Sequence, residues 1–376
     1  MSKMMLGEVA KEYKSTIKDH TGMPVVGLEH IEPEELELRS YDVDDEKTFS
    51  KGFKQGQILF GRRRAYLKKA AVAPFDGVCS GDIIVIEAIP DKILPDLLPF
   101  IIQNDLLFDY AMSKSAGGMS PRVKWKDLKE YEFDLPEMDE QSRLLDILKS
   151  ANAARTAYKK MIDAIDELIK SQFIEMFGDP VTNTKGREVK PFSDFMTNIR
   201  YGTSQPPAFS EDGEYKFIRA TNIKAGRITE TDMLRINQDA ADKIQKCKLD
   251  GNEIIIVRSG ANTGDTCVVT EDYRGQYAGY DIIISLDLSR SNPVFFNELM
   301  NTHYMQSVIK PLTVRSAQPH LNTKQVQNLP MLVASLDEQN AFADFVEQSD
   351  KSKFELKKAI SNVEVMIKTI VREGLD

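Results

Sequence analysis

Two long stretches of the chain repeat an apolar residue at alternating steps of three and four. In residues 139–177 the series is Leu144, Leu148, Ala151, Tyr158, Ile162, Ile165, Ile169 and Met176. In residues 337–371 it is Phe342, Val346, Ser349, Leu356, Ile360, Val363, Ile367 and Ile370, nearly position for position 198 residues further on. Where one step lacks an apolar residue, Arg155 stands in the first seam and Lys353 in the second. Neither stretch contains Pro or Gly. A period of 3.5 sustained this long predicts two helices with a coiled-coil seam and excludes strands. At about 1.5 Å per residue the first would be about 58 Å long, and "FGDP" at 177–180 stops it. The first helix must hand the chain on at its far end, and the second can return, which predicts an antiparallel pair.

The rest of the chain carries short β-branched runs separated by turn residues, and these runs are also duplicated. "QGQILFGRRRAYLKKAAVAPFDGVCSGDIIVIEA" (55–88) parallels "DGNEIIIVRSGANTGDTCVVTEDYRGQYAGYDIIISLD" (250–287): a strand, a turn, a second strand, a turn, a third strand. "MPVVGLEHI" (23–31) corresponds to "YKFIRATNI" (215–223), and "GGMSPRVKWKDLKEYEFDL" (117–135) to "RSAQPHLNTKQVQNLPMLV". An ordered repeat of this kind sets the domain plan. We expect an α+β protein: a mixed α/β module at 1–138, a helix at 139–178, a second module at 179–335 and a second helix at 336–376.

Composition narrows the class. With 376 residues, several domains are expected. No run approaches about 20 apolar residues, so no membrane span is expected, and the N-terminus lacks the features of a secretion signal. Three cysteines, Cys79, Cys247 and Cys267, without metal-ligand spacing suit a reducing cytoplasm. A net charge of −9 argues against coating nucleic acid by bulk charge, so any such contact must be local.

Searches for catalytic motifs fail. There is no phosphate loop, no dinucleotide turn and no adenine-methyltransferase motif, and the four histidines are scattered. Two alternatives are a non-specific coiled-coil interaction scaffold and a self-contained metal-dependent nuclease built on Asp179, Glu188 and Lys190, although these three fall in a helix-stop turn and a polar linker. "DEQ" occurs at Asp139–Gln141 and again at Asp337–Gln339. Acidic residues there complement a helix dipole, and Ser335 with Glu338 can form a capping box. We read both as helix starts, with no catalytic or metal site in the chain.

What remains is a set of basic and amide side chains on turns. The first module offers Arg62, Arg63, Arg64, Lys68 and Lys69 around Tyr66, and Lys114, Arg122 and Lys124 in a flexible stretch. The second offers Thr203, Ser204, Arg219, Asn222, Arg258, Ser259, Asn262, Thr263, Arg315, Ser316, Gln318 and His320. Arg, Asn and Gln can make paired hydrogen bonds to purine edges, while Lys, Ser and Thr suit phosphates. Their recurrence on matching turns points to DNA binding with a strong salt dependence.

The chain resembles the specificity subunits of type I restriction-modification enzymes. The residues that carry the likeness are "GLEHI", "QGQILFGRRRAYLKKAAVAPFDGVCSGDIIVI", "GGMSPRVKWKDL", "LPEMDEQSRL" and "QFIEMFGDP", with the weaker second-copy "RSGANTG" and "LDEQNAFADF". The resemblance covers essentially the whole chain. It implies two target-recognition domains, each reading one half of a bipartite double-stranded DNA site, held apart by the helices. It further implies docking of two modification (methyltransferase) subunits and of restriction (ATP-dependent endonuclease) subunits. S-adenosylmethionine, ATP and Mg2+ would then belong to those partners, and this chain would be non-catalytic. The second copy has Arg258-Ser259-Gly260-Ala261-Asn262 where the first has three arginines, so the target should be asymmetric.

Overall fold

The computed structural model describes residues 2–43, 49–313 and 320–375. The chain divides into two compact units, Met1–Lys160 with Leu356–Asp376, and Met161–Glu355.

In the first unit, strands Ala10–Glu12, Ile83–Ala88, Ile58–Gly61 and Ala70–Val72 lie in that order in one antiparallel sheet. Its central strands are buried on both faces, which explains their unbroken apolar runs. Ile58, Phe60, Ile84 and Ile86 face a core shared with helices Leu98–Ile102 and Asp105–Ser113. Leu59, Ile83 and Val85 face Val26, Phe53 and Cys79 on the other side. The second unit repeats the plan with Met196–Tyr201, Ile282–Leu286, Ile254–Ile256 and Thr266–Val268. Ile254, Ile256, Ile282 and Ile284 enter one core, Ile255 and Ile283 the other.

Each unit also holds a three-stranded sheet that the apolar pattern did not reveal. Val25–Val26, Gly77–Cys79 and Lys51–Phe53 form the first; Leu234–Ile236, Tyr215–Ile218 and Tyr277–Ala278 form the second. The parallel pair is common to both, Val25–Val26 with Gly77–Cys79 and Tyr215–Ile218 with Tyr277–Ala278. The third strand joins opposite edges. Strands of two to four residues carry too little periodicity to be seen in sequence.

Two helices of 40 residues run over Met138–Phe177 and Leu336–Leu375. Within the first unit, Leu145 and Leu148 share a core with Val371 and Leu375, and Arg155 Nη1 lies 3.6 Å from Glu364. Within the second, Asp166 pairs with Lys353 at 2.8 Å, and Phe173 and Phe177 each meet Phe342 edge-on at 5.5 Å. In each unit the two helical segments therefore pass antiparallel. Aromatic side chains buried this way stabilise by about 1.5–3 kcal/mol each. Leu145, Phe173 and Phe177 lie outside the seam read from sequence, because there the buried face widens to meet the sheet core.

The joints between module and helix are locked by glutamines. Gln141 is 2% exposed; its Nε2 donates to the Pro136 and Lys92 carbonyls at 2.9 and 3.5 Å, and its Oε1 accepts from Leu94 N at 3.0 Å. Gln339 is wholly buried and does the same to Ala334, Arg290 and Asn292 at 2.9, 3.2 and 2.8 Å. The expected capping box forms: Ser335 N donates to Glu338 Oε2 at 2.9 Å, and Glu338 N to Ser335 Oγ at 3.3 Å. Arg187, 2.7 Å away, donates to the same carboxylate and holds its pKa down to about 2.

A residue from a short connecting segment in each unit grips a helix through charge. Glu35, nearly buried, meets Arg155 Nη2 at 3.1 Å and also Lys159. In the second unit Arg227 meets Asp350 at 2.6 Å and Glu298 at 2.9 Å. Glu35 and Arg227 hold matching places. Each lies eight residues past the start of a short turn in which a side chain caps the backbone: Gly27 N to His30 Nδ1 at 2.9 Å, and Arg219 N to Asn222 Oδ1 at 3.1 Å. Among the described residues no helix is long and apolar enough to cross a membrane.

Candidate nucleic-acid interface

In the first unit, strand Ile58–Gly61 runs straight into Arg62. The Arg62 carbonyl accepts from Val123 N at 3.0 Å, Arg63 faces Arg122 in an isolated antiparallel bridge, and Arg64 N donates to the Pro121 carbonyl at 3.1 Å. Two turns about 60 residues apart in sequence are thereby zipped together. Arg64 and Lys68 both take left-handed backbone, at φ 54° and 48°, around the short turn Ala65–Leu67. This conformation is uncommon for residues with a side chain, and it leaves Tyr66 54% exposed.

The charges at this bracket are partly consumed internally. Arg122 grips Asp82 with Nε at 2.7 Å and Nη2 at 3.3 Å, and Arg63 Nη1 lies 3.5 Å from the same carboxylate. The Arg122 hydrogen bond holds the Asp82 carboxyl below its usual range. Arg62 Nε donates to the Val123 carbonyl at 3.1 Å, Lys69 to that of Leu28 at 2.6 Å, and Lys68 pairs with Asp105 at 2.5 Å. Lys114 sits 5.3 Å over the Tyr110 ring. Arg64, Tyr66 and Lys124 are exposed, and their side chains meet no hydrogen-bond or ion-pair partner among the described residues.

The second unit builds the same bracket with other side chains. Strand Ile254–Ile256 leads through Val257 to Arg258, whose carbonyl accepts from Leu321 N at 2.8 Å. Ser259 faces His320 in an isolated antiparallel bridge, as Arg63 faces Arg122. Gly260 and Gly264 turn at φ 97° and 99°, which only glycine adopts without strain. Thr263 Oγ1 donates to the Gly260 carbonyl at 2.6 Å, and Asn262 Nδ2 reaches Ala220 O at 3.5 Å. The Arg258 guanidinium lies 4.6 Å over the Tyr201 ring, with Nη2 3.3 Å from His320 Nε2. On the adjoining turn, the Thr203 carbonyl accepts from Tyr280 N at 3.0 Å, and Ser204 is exposed.

Asp281, at the place of Asp82, is 2% exposed; its Oδ1 accepts only from Arg258 N, at 3.2 Å, and its Oδ2 has no partner. Burial pushes its pKa up to about 7.

Several residues singled out in sequence serve the loops themselves. Asn222 is wholly buried, and its Nδ2 donates to Thr229 and Thr231 carbonyls at 3.3 and 2.9 Å, so it braces its turn and cannot reach a base. Arg219 Nη2 donates to the Asp232 carbonyl at 2.7 Å. Lys68 and Lys69 are drawn inward by Asp105 and Leu28. Arg315, Ser316 and Gln318 lie outside the described residues.

The nuclease alternative does not assemble. Asp179 Oδ1 caps its own turn at Val181 N, and Glu188 points outward beside Lys190 at 3.3 Å. Among the described residues, the one cluster of three metal-capable side chains is Glu29, His30 and Asp42, which contains none of them. Tyr201, Asp82 and Asp281 were missed in sequence. An Asp before each copy of the β-branched strand, at 82 and 281, was the available signal for two of them.

Residues 3–166 and 186–364 match the model of the type I restriction modification DNA specificity domain. The chain belongs to this family. The specificity subunit of type I restriction enzyme EcoDI from Escherichia coli is 26% identical over 161 residues, covering 42% of this chain and 35% of that one. For the EcoBI specificity subunit, also from Escherichia coli, identity is 21% over 279 residues, 66% of this chain and 58% of the relative. The matches thus span from about a third to under two thirds of these family members' length. The S subunit of the type I restriction-modification system from M. genitalium shares the fold at a TM-score of 0.58, with 13% identity, 100% of this chain and 96% of that one covered.

Proposed function

We propose that the chain is the DNA sequence-specificity subunit of a type I restriction-modification complex and performs no catalysis itself. The observation that carries this is the bracket of two turns, built alike in both units and dressed with different side chains. Equal frames with unequal edges suit two half-sites of different sequence, hence an asymmetric bipartite target on double-stranded DNA. The two long helices would form an antiparallel coiled-coil spacer whose length sets the unread gap. Exposed apolar side chains on them, among them Ile147, Leu168, Phe354 and Val365, support a role as docking surface for two modification subunits. Restriction subunits would complete the assembly in the cytoplasm. S-adenosylmethionine, ATP and Mg2+ would be bound by those partners.

The test is sequencing of methylated bases in cells expressing the chain with its modification subunit. A bipartite, asymmetric methylated motif is expected, and replacing residues 1–135 with another module should change one half only. Loss of both halves, or no motif at all, would overturn the proposal.

A further inference from the structure

We propose that Arg258 reads a guanine in the half-site of the second module, an inference that rests on the DNA-specificity reading above. The backbone of Arg258 is fixed at both ends, its N–H on Asp281 Oδ1 at 3.2 Å and its carbonyl on Leu321 N at 2.8 Å. The side chain therefore starts from a set point. Its guanidinium stacks 4.6 Å from the centre of Tyr201, and Tyr201 is itself held by Thr323 N donating to its hydroxyl at 3.0 Å. A planar cation on a ring face keeps its edges free. Of the five N–H donors, one Nη2 hydrogen is directed at His320 Nε2, 3.3 Å away. Arginine has no acceptor, so in this contact the imidazole nitrogen takes the accepting role.

No carboxylate forms an ion pair with this guanidinium among the described residues. The contrast with the first module is direct. There Arg122, at the place of His320, grips Asp82 with two hydrogen bonds and neutralises it. In the second module the corresponding Asp281 is buried and takes only a backbone N–H. Among the described residues the arginine is thus oriented, with no ion-paired carboxylate and no partner besides His320 for its guanidinium N–H groups. Guanine presents two adjacent acceptors, O6 and N7, in the major groove, and a fixed guanidinium fork matches them. A phosphate contact needs no such orientation.

The experiment is selection from a pool of duplexes with randomised cores, using the chain in complex with its modification subunit. Wild type, Arg258→Lys and Arg258→Ala are compared. Both variants should lose preference at one G·C pair in one half of the motif, and affinity for the wild-type site should fall about 5- to 150-fold. The half read by the first module should stay unchanged, which also reports that the variants fold. Tyr201→Leu should weaken preference at the same position. Uniformly weaker binding with every preference kept and a shallower salt dependence would make Arg258 a phosphate contact and overturn the assignment. An unchanged motif would overturn it too. If wild type enriches no motif, the DNA-specificity reading falls, and this inference with it.

Discussion

Gln141 carries one acceptor and two donors on its side chain, and they go to three backbone groups, the buried carbonyl of Pro136 and the part-buried Lys92 carbonyl and Leu94 N–H. Truncation leaves those groups unsatisfied, so Gln141→Ala should cost about 2–4 kcal/mol, read as an earlier first transition in urea unfolding. An effect below about 0.5 kcal/mol would mean the joint is held elsewhere. In sequence this residue looked like part of a polar helix start. The acidic neighbours fit that reading, but the glutamine is interior. A buried polar side chain is visible only once its partners, here about 50 residues away, are in place. Asp281 makes the second residue-scale prediction. Burial raises its pKa to about 7 from the 3.8 of an unhindered aspartate, so the folded state holds a proton that the unfolded state releases. Its contribution is complete below about pH 4 and is lost as pH rises to about 7, at about 1.4 kcal/mol per pH unit across the window. Asp281→Asn, which keeps an acceptor for Arg258 N, should flatten this slope and raise the melting temperature at pH 8. A slope equal to wild type would show that Asp281 does not titrate in that window.

Among elements, the long helices were the most legible, because their signal is local and periodic over 40 residues. The brackets were half legible. The arginine run and its echo stand out, yet the division of labour between Arg64, whose side chain has no partner among the described residues, and Arg122, which is tied to Asp82, depends on partners far along the chain. The charged grips on the helices were not legible at all. Glu35 sits with its side chain 9% exposed against Arg155 at 7%. Removing one member of such a pair strands a buried charge. Because Glu364 stays 3.6 Å from Arg155, Glu35→Ala should destabilise the first unit by about 1–3 kcal/mol, and Glu35→Leu with Arg155→Met should recover most of that loss. Denaturant unfolding of both variants checks it; equal damage from both would mean that the site is sensitive to shape and not to charge.

For the molecule as a whole, the duplication was plain in sequence because element order survives where identity does not. What escaped was how the copies differ: the edge on which a third strand joins the small sheet, and the sign of the charge on each grip. The first copy presents a carboxylate to Arg155 and Lys159, while the second presents a guanidinium to Asp350. This reversal works as an address label for each module. A segment copied from the first position into the second would bring Glu35 against Asp350, like charge on like. An exchange of modules should then be tolerated between equivalent positions of related chains more readily than between the two positions of one, as the yield of folded chimeras would show.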